Sequence, residues 1–145
     1  MRVNGRALIR WLVCVAMAVL VSMAMGGVGL AATKKKKKAS LNVTVPSNAR
    51  VNQNYAIKVK GYSGRFNALS VYASKIKCPK NQADASSTFV NGYSYTLTPK
   101  HKFKKNNNTF FASTSGKRTA CVYLYDSSNP GGSQKHKFKP YNVSP

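Results

Sequence analysis

Acidic side chains are almost missing from this chain. Its 145 residues include two, Asp84 and Asp126, with no glutamate, against 24 lysines and arginines. Both aspartates fall in stretches that read as loops, so paired-carboxylate chemistry has almost no material. Histidine is equally scarce. His101 and His136, taken with Cys78 and Cys121, show neither C-x-x-C nor H-x3-H spacing, which speaks against a metal site. No G-x-S-x-G nucleophile turn and no phosphate-cradling glycine loop is present. These gaps argue against an enzyme, and nothing implies a cofactor. The one tryptophan, Trp11, lies in the one long apolar run.

That run opens the chain. Arg2, Arg6 and Arg10 make a positive leader, Trp11 to Leu30 carries no charge, and Gly29-Leu30-Ala31-Ala32 supplies small residues for cleavage. Residues 1–32 are therefore expected to be a secretory signal peptide. The competing reading is an uncleaved anchor, because about 20 apolar residues can span a bilayer. Gly26, Gly27 and Gly29 weaken the end of that helix and favour cleavage. The expected location is outside the cell or at its envelope.

Loss of Cys14 with the signal leaves Cys78 and Cys121, an even pair in an oxidising compartment. A disulfide between them is the expectation; two free thiols or an intermolecular bridge are the alternatives. It would contribute about 2–4 kcal/mol, mainly by restricting the unfolded chain. The remaining residues suit one domain with a modest core. Their 21 basic groups against two acidic ones leave a net charge of +19. Such imbalance points to polyanionic partners: anionic cell-wall polymer, acidic polysaccharide, nucleic acid or an acidic envelope surface.

Residues 33–40 carry five consecutive lysines, Lys34, Lys35, Lys36, Lys37 and Lys38. They read as a disordered, solvated spacer, or as an electrostatic tether worth about 1 kcal/mol per lysine at an anionic surface. From Leu41 the pattern turns to period two. Leu41, Val43 and Val45 form one apolar face; Tyr55, Ile57 and Val59 form another, with Lys58 and Lys60 opposite. A third strand spans Ala68 to Ala73. Residues 75–88 lack alternation and read as a polar crossover carrying Cys78, with a short helical turn at Asn81–Ala85. Phe89-Val90 reads as a short strand before an Asn91-Gly92 hairpin turn.

The longest regular stretch follows. Tyr93, Tyr95, Leu97, Pro99, His101 and Phe103 take the odd positions, and Ser94, Thr96, Thr98, Lys100, Lys102 and Lys104 the even ones. It reads as one strand, on an edge or bulged at Pro99. Residues 104–108 read as a loop, Phe110 to Thr114 as a further strand and Ser115–Lys117 as a turn. Ala120 to Tyr125 is uncharged and reads as a central strand. Its aliphatic set, Ala120, Val122 and Leu124, looks like the core face. Cys121 then points outward, and the disulfide clamps the 75–88 crossover over Tyr72 and Tyr123. An inward cysteine is the other choice. Gln134 to Lys139, with Tyr141 and Val143, closes the chain.

Seven or eight short strands with little helix indicate an all-β, antiparallel sandwich of about seven strands over residues 41–145. The Val45-Pro46-Ser47 opening after a lysine-rich spacer, Cys78 in a polar crossover, Tyr93 to Pro99 and Ala120 to Leu124 resemble the immunoglobulin-like domains of small secreted bacterial proteins. The resemblance implies an immunoglobulin-like β-sandwich and no particular ligand. It departs from antibody-type domains: there is no core tryptophan, and Thr119 stands two before the second cysteine where they place tyrosine.

One pentapeptide recurs, Lys100-His101-Lys102-Phe103-Lys104 and Lys135-His136-Lys137-Phe138-Lys139. As strands, both copies put three lysines on one side and His plus Phe on the other. The plain reading is two phenylalanines in the core with lysines in water, and histidines packed against phenylalanine. The functional reading is a pair of three-lysine rows gripping phosphates or sulfates as point charges, independent of sequence and sensitive to salt. Tyr72, Tyr123 and Tyr125 are the expected exposed rings for a glycan-stacking alternative. Asn42, Asn107 and Asn142 begin glycosylation sequons. Three functions fit these features: a secreted basic immunoglobulin-like binding or structural module attracted to polyanions, a carbohydrate-binding module, and a structural domain without a specific ligand.

Overall fold

The structure, a computed structural model, describes residues 36–145, apart from the side chains of Asn107 and Asn108. The expected signal peptide at 1–32, and Lys34 and Lys35, lie outside the described residues. Among those described, no helix is long and apolar enough to cross a membrane.

The described residues form eight strands and one short helix, in order: β1 (Ser40–Thr44), β2 (Ala49–Arg50), β3 (Asn54–Tyr62), β4 (Ala68–Ser74), α1 (Gln82–Thr88), β5 (Gly92–Thr96), β6 (Lys102–Phe111), β7 (Gly116–Tyr125) and β8 (Lys135–Ser144). They build two sheets, one ordered β1-β3-β6 and the other β2-β8-β7-β4-β5. The expectation of a wholly antiparallel arrangement is corrected at one place: β2 pairs with β8 in parallel through Ala49 and Val143.

Alternation explains the main core. Val43, Ile57 and Val59 from the three-stranded sheet meet Leu69, Val71, Ala120, Val122 and Leu124 from the other, all buried. Burying each such side chain contributes about 1.5–3 kcal/mol. At one end Tyr55 and Tyr141 join this core with their hydroxyls 3.0 Å apart. Burial and that hydrogen bond hold the Tyr141 phenol well above its ordinary range.

A second, smaller core lies on the far side of the five-stranded sheet. Here Ala68, Tyr72, Cys121, Tyr123 and Tyr125 face outward from β4 and β7 and are covered by the 75–89 crossover through Cys78 and Ala85. Cys121 is thus directed away from the main core, as its aliphatic neighbours implied. The Cys78–Cys121 disulfide is formed, with Cα atoms 5.7 Å apart. The expected helical turn is a seven-residue helix. Asn81 caps it, its side chain accepting from the Asp84 amide at 2.8 Å and donating to the Asp84 carboxylate.

Several local expectations fail. Gly116 and Lys117, expected in a turn, already belong to β7, and the strand expected over Phe110 to Thr114 stops at Phe111. Phe89 and Val90 form no strand: Phe89 is the C-cap of α1, its amide donating to the Ala85 carbonyl, so Asn91-Gly92 joins a helix to β5 instead of closing a hairpin. Glycine is needed at 92 because a Cβ there would run into the Tyr72 ring. The long alternating stretch is two strands. β5 pairs with β4, and β6 pairs with β3 in the other sheet. Buried Ser63 fixes the crossing between them, bonding the Thr98 carbonyl and accepting from the His101 amide, while Lys100 takes a left-handed φ of 62°. Residues 104–108, expected as a loop, continue β6, which ends at Phe111.

Candidate anion-binding surface

The outer face of the three-stranded sheet is where the lysines gather. With Leu41, Val43, Ile57 and Val59 turned toward the core, the even-numbered residues of β1 and β3 face outward. Strand register sets them in rows: Asn42, Lys60 and Lys104 form one, Ser40, Tyr62 and Lys102 the next, and Thr44, Lys58 and Asn106 a third. Lys58, Lys60, Lys102 and Lys104 are exposed. A shallow groove of about 720 Å³ follows the first two rows, with Lys37 arriving from the spacer to join them. The Lys37 ammonium sits 4.9 Å from the Tyr62 ring centroid, a cation–π contact.

Two features make this surface electrostatically unusual. Lys60 and Lys104 stand directly opposite each other across a strand pair, an arrangement that destabilises a sheet. None of the three strands contains an aspartate or glutamate to offset it. The two carboxylates are spent locally elsewhere. Asp84 belongs to the first turn of α1, within the expected helical turn of the crossover. Asp126 sits in a turn and accepts from the Ser128 hydroxyl and amide; these bonds, with Arg65 nearby, hold its carboxyl below the ordinary range. Gly61 lies in the floor of the groove, where a Cβ would collide with the Ser40 carbonyl of the adjacent strand.

The expected lysine sites divide. Lys37, Lys102 and Lys104 come together at the groove, and Lys36 and Lys38 are exposed next to Lys37 in the chain. Lys100 is exposed in the connection before β6 and does not line the groove. The second pentapeptide behaves differently from the first. Lys135, Lys137 and Lys139 stand opposite Leu124, Val122 and Ala120 and so share the core-facing side of their sheet. They stay exposed because β8 is flanked beyond only by the two-residue β2, and Lys139 reaches across the open margin to the Val43 carbonyl of β1 at 3.4 Å.

Phe138 therefore belongs to the outer cluster, against Tyr123 at 5.7 Å between ring centroids, and not to the main core as expected. His136 stacks on Phe138 at 4.7 Å. His101 bonds the Pro99 carbonyl instead of packing on Phe103. Lys60, supplied by β3, is the groove residue that reading the pentapeptide missed; the signal for it was the Lys58/Lys60 alternation, which only strand register connects to Lys104.

The three tyrosines expected at the surface are buried. Tyr123 has no exposed area, and Tyr72 and Tyr125 have almost none. The Tyr123 hydroxyl donates to the Pro79 carbonyl at 2.8 Å, Gln82 donates to the Tyr72 hydroxyl, and Tyr125 bonds Ser70. Burial first, then the neighbouring Tyr72 and Asp84, pushes the Tyr123 phenol far upward. Their rings present no open face for a sugar, because the disulfide-held crossover lies on them. Among the described residues no three His, Cys, Asp or Glu side chains gather where a metal ion could sit. No family model matches the chain, and no curated protein is significantly similar to it.

Proposed function

We propose that the protein is a secreted, strongly basic binding module of the cell envelope, and that it holds anionic polymers without catalysis on the lysine face of its three-stranded sheet. The observation that carries this reading is the pairing of Lys60 with Lys104, in a groove shared with Lys37 and Lys102 and with no acidic residue in the surrounding strands. Repulsion within such a set is relieved when phosphate, sulfate or carboxylate groups replace its counterions. Lysine ammoniums act as point charges, so the recognition is of charge density rather than sequence. The disulfide supports an oxidising compartment, and with it removal of residues 1–32 as a signal.

The fold belongs to the same proposal. We read it as an immunoglobulin-like sandwich, and what supports that reading is that the sheet orders β1-β3-β6 and β8-β7-β4-β5 would suit its strands A-B-E and G-F-C-C′. The parallel β2 is an addition at the β8 margin.

Binding to an immobilised acidic polysaccharide and to a neutral glycan tests the function. The reading expects retention on the acidic polymer that falls steeply with salt, drops further in Lys60→Ala/Lys104→Ala, and has no counterpart on the neutral glycan. Retention that ignores salt, or that survives the double substitution unchanged, contradicts it.

A further inference from the structure

At the opposite end of β6 lies a second groove of different character. It has a volume of about 480 Å³ and runs between the edge strands of the two sheets, with Gly92 and Tyr93 of β5 on one side and Thr109 to Phe111 of β6 on the other. Its walls carry two large apolar residues left in water: Val90 is 98% exposed and Phe111 57%. Exposed apolar side chains gathered at one groove mark an interaction site more often than scattered ones do.

Both flanking strands end their sheets, so among the described residues each has a strand neighbour on one side only. β6 also changes along its length. Lys102, Lys104 and Lys105 guard its first half, whereas Asn106 to Phe111 carries no charge at all. Charged residues are the common device that keeps an edge from pairing, and on β6 that device ends at Lys105, short of the groove-lining Thr109 to Phe111. The groove has a cationic rim in Lys75 and Arg118 and no carboxylate lining it. Arg118 is held by the Thr114 carbonyl and hydroxyl at 2.9 and 3.2 Å, and its buried Nε has no acceptor.

We propose that this groove takes an extended acidic peptide segment, which adds a strand along Thr109–Phe111 of β6. Its apolar side chains pack on Val90 and Phe111, and its carboxylates face Arg118 and Lys75. Main-chain pairing would supply affinity, and alternate side chains would supply selectivity. An acidic partner, not a second copy, is favoured by charge, since two copies of so basic a chain repel each other.

The test is an NMR titration of the protein with a hexapeptide of alternating glutamate and valine, beside a lysine–valine and a glutamate–serine control. The proposal expects the glutamate–valine peptide to shift the amides of Thr109 to Phe111 and slow their hydrogen exchange. It expects Phe111→Ser, an exposed position that leaves the fold intact, to weaken binding roughly tenfold or more. Lys60→Ala/Lys104→Ala should leave this titration unchanged, which separates it from the polyanion surface. Shifts confined to Lys58–Tyr62 and Lys102–Lys104, equal binding of the glutamate–serine peptide, or no binding would overturn the proposal. Self-association that Phe111→Ser abolishes would overturn it in favour of a second copy.

Discussion

The domain has two outer sheet faces, and they meet opposite fates. On the five-stranded sheet Tyr72, Cys121, Tyr123 and Tyr125 point away from the main core yet are sealed beneath the crossover. On the three-stranded sheet Lys58, Lys60, Lys102 and Lys104 point away from the same core and lie bare. Strand periodicity is the same in both. What differs is whether something lies on top, and the Cys78–Cys121 disulfide is one of the ties that hold it there, beside the bonds of Pro79 and Gln82 to Tyr123 and Tyr72. The sealed face is thereby a second core, and the bare one is the surface on which we propose that anionic polymers bind.

The largest effect that could break this contrast is at Tyr123. Tyr123→Ala should cost about 3–5 kcal/mol in chemical denaturation, the usual loss for a large buried ring. Tyr123→Phe, which removes only the hydrogen bond to Pro79, should cost about 1 kcal/mol. A Tyr123→Ala protein as stable as the parent would mean that the second core stabilises nothing. Replacing both cysteines by serine should cost about 2–4 kcal/mol, and should raise proteolytic cleavage within 75–89 before the rest of the chain.

Alkali should separate the faces next. Tyr123 and Tyr141 have phenol pKa values raised by burial, so the folded state favours their protonated forms. Their contribution is complete below the unfolded value of about 10 and is lost as pH rises above it toward the folded values. Tyrosinate absorbance from these residues should therefore appear only together with unfolding; smooth titration of Tyr123 in a folded protein would show the covered face to be open, whereas Tyr141 reports on the main core. The smallest effect has the opposite sign. Lys60→Thr should stabilise the domain by roughly 0.2–1 kcal/mol at low salt, by removing a like-charge pair, while weakening polyanion binding. A loss of both stability and binding would make Lys60 a structural residue.

Much of this was legible from spacing alone. In β3, Tyr55, Ile57 and Val59 alternate with Lys58 and Lys60, and the burial follows suit. The outward direction of Cys121 followed from Ala120, Val122 and Leu124. The break between β5 and β6 was hidden because the alternation keeps its parity across it: Leu97 is buried and Phe103 packs against the same core from the other sheet. Ser63, which fixes that crossing, is remote in sequence. The cover over Tyr72 and Tyr123 followed from an outward Cys121 bonded to Cys78. How completely it seals them, and Tyr125 with them, did not, because parity tells which side of a sheet a residue occupies and not how tightly that side is covered. The same limit misplaced Phe138, whose partners are a second core that a one-core reading does not contain. For the lysines, the pentapeptide repeat drew attention to identical words, whereas register joined Lys104 to Lys60 and left Lys135, Lys137 and Lys139 on another margin.

The salt dependence of polyanion affinity, measured for two triple variants, tests the central contrast most directly. Lys60→Ala/Lys102→Ala/Lys104→Ala should weaken binding and lower the slope of log affinity against log salt by about 1 for each contact removed. Lys135→Ala/Lys137→Ala/Lys139→Ala, equal in charge lost, should change that slope much less. Equal losses from the two variants would mean that net charge alone attracts the polymer and that the three-stranded face holds no site.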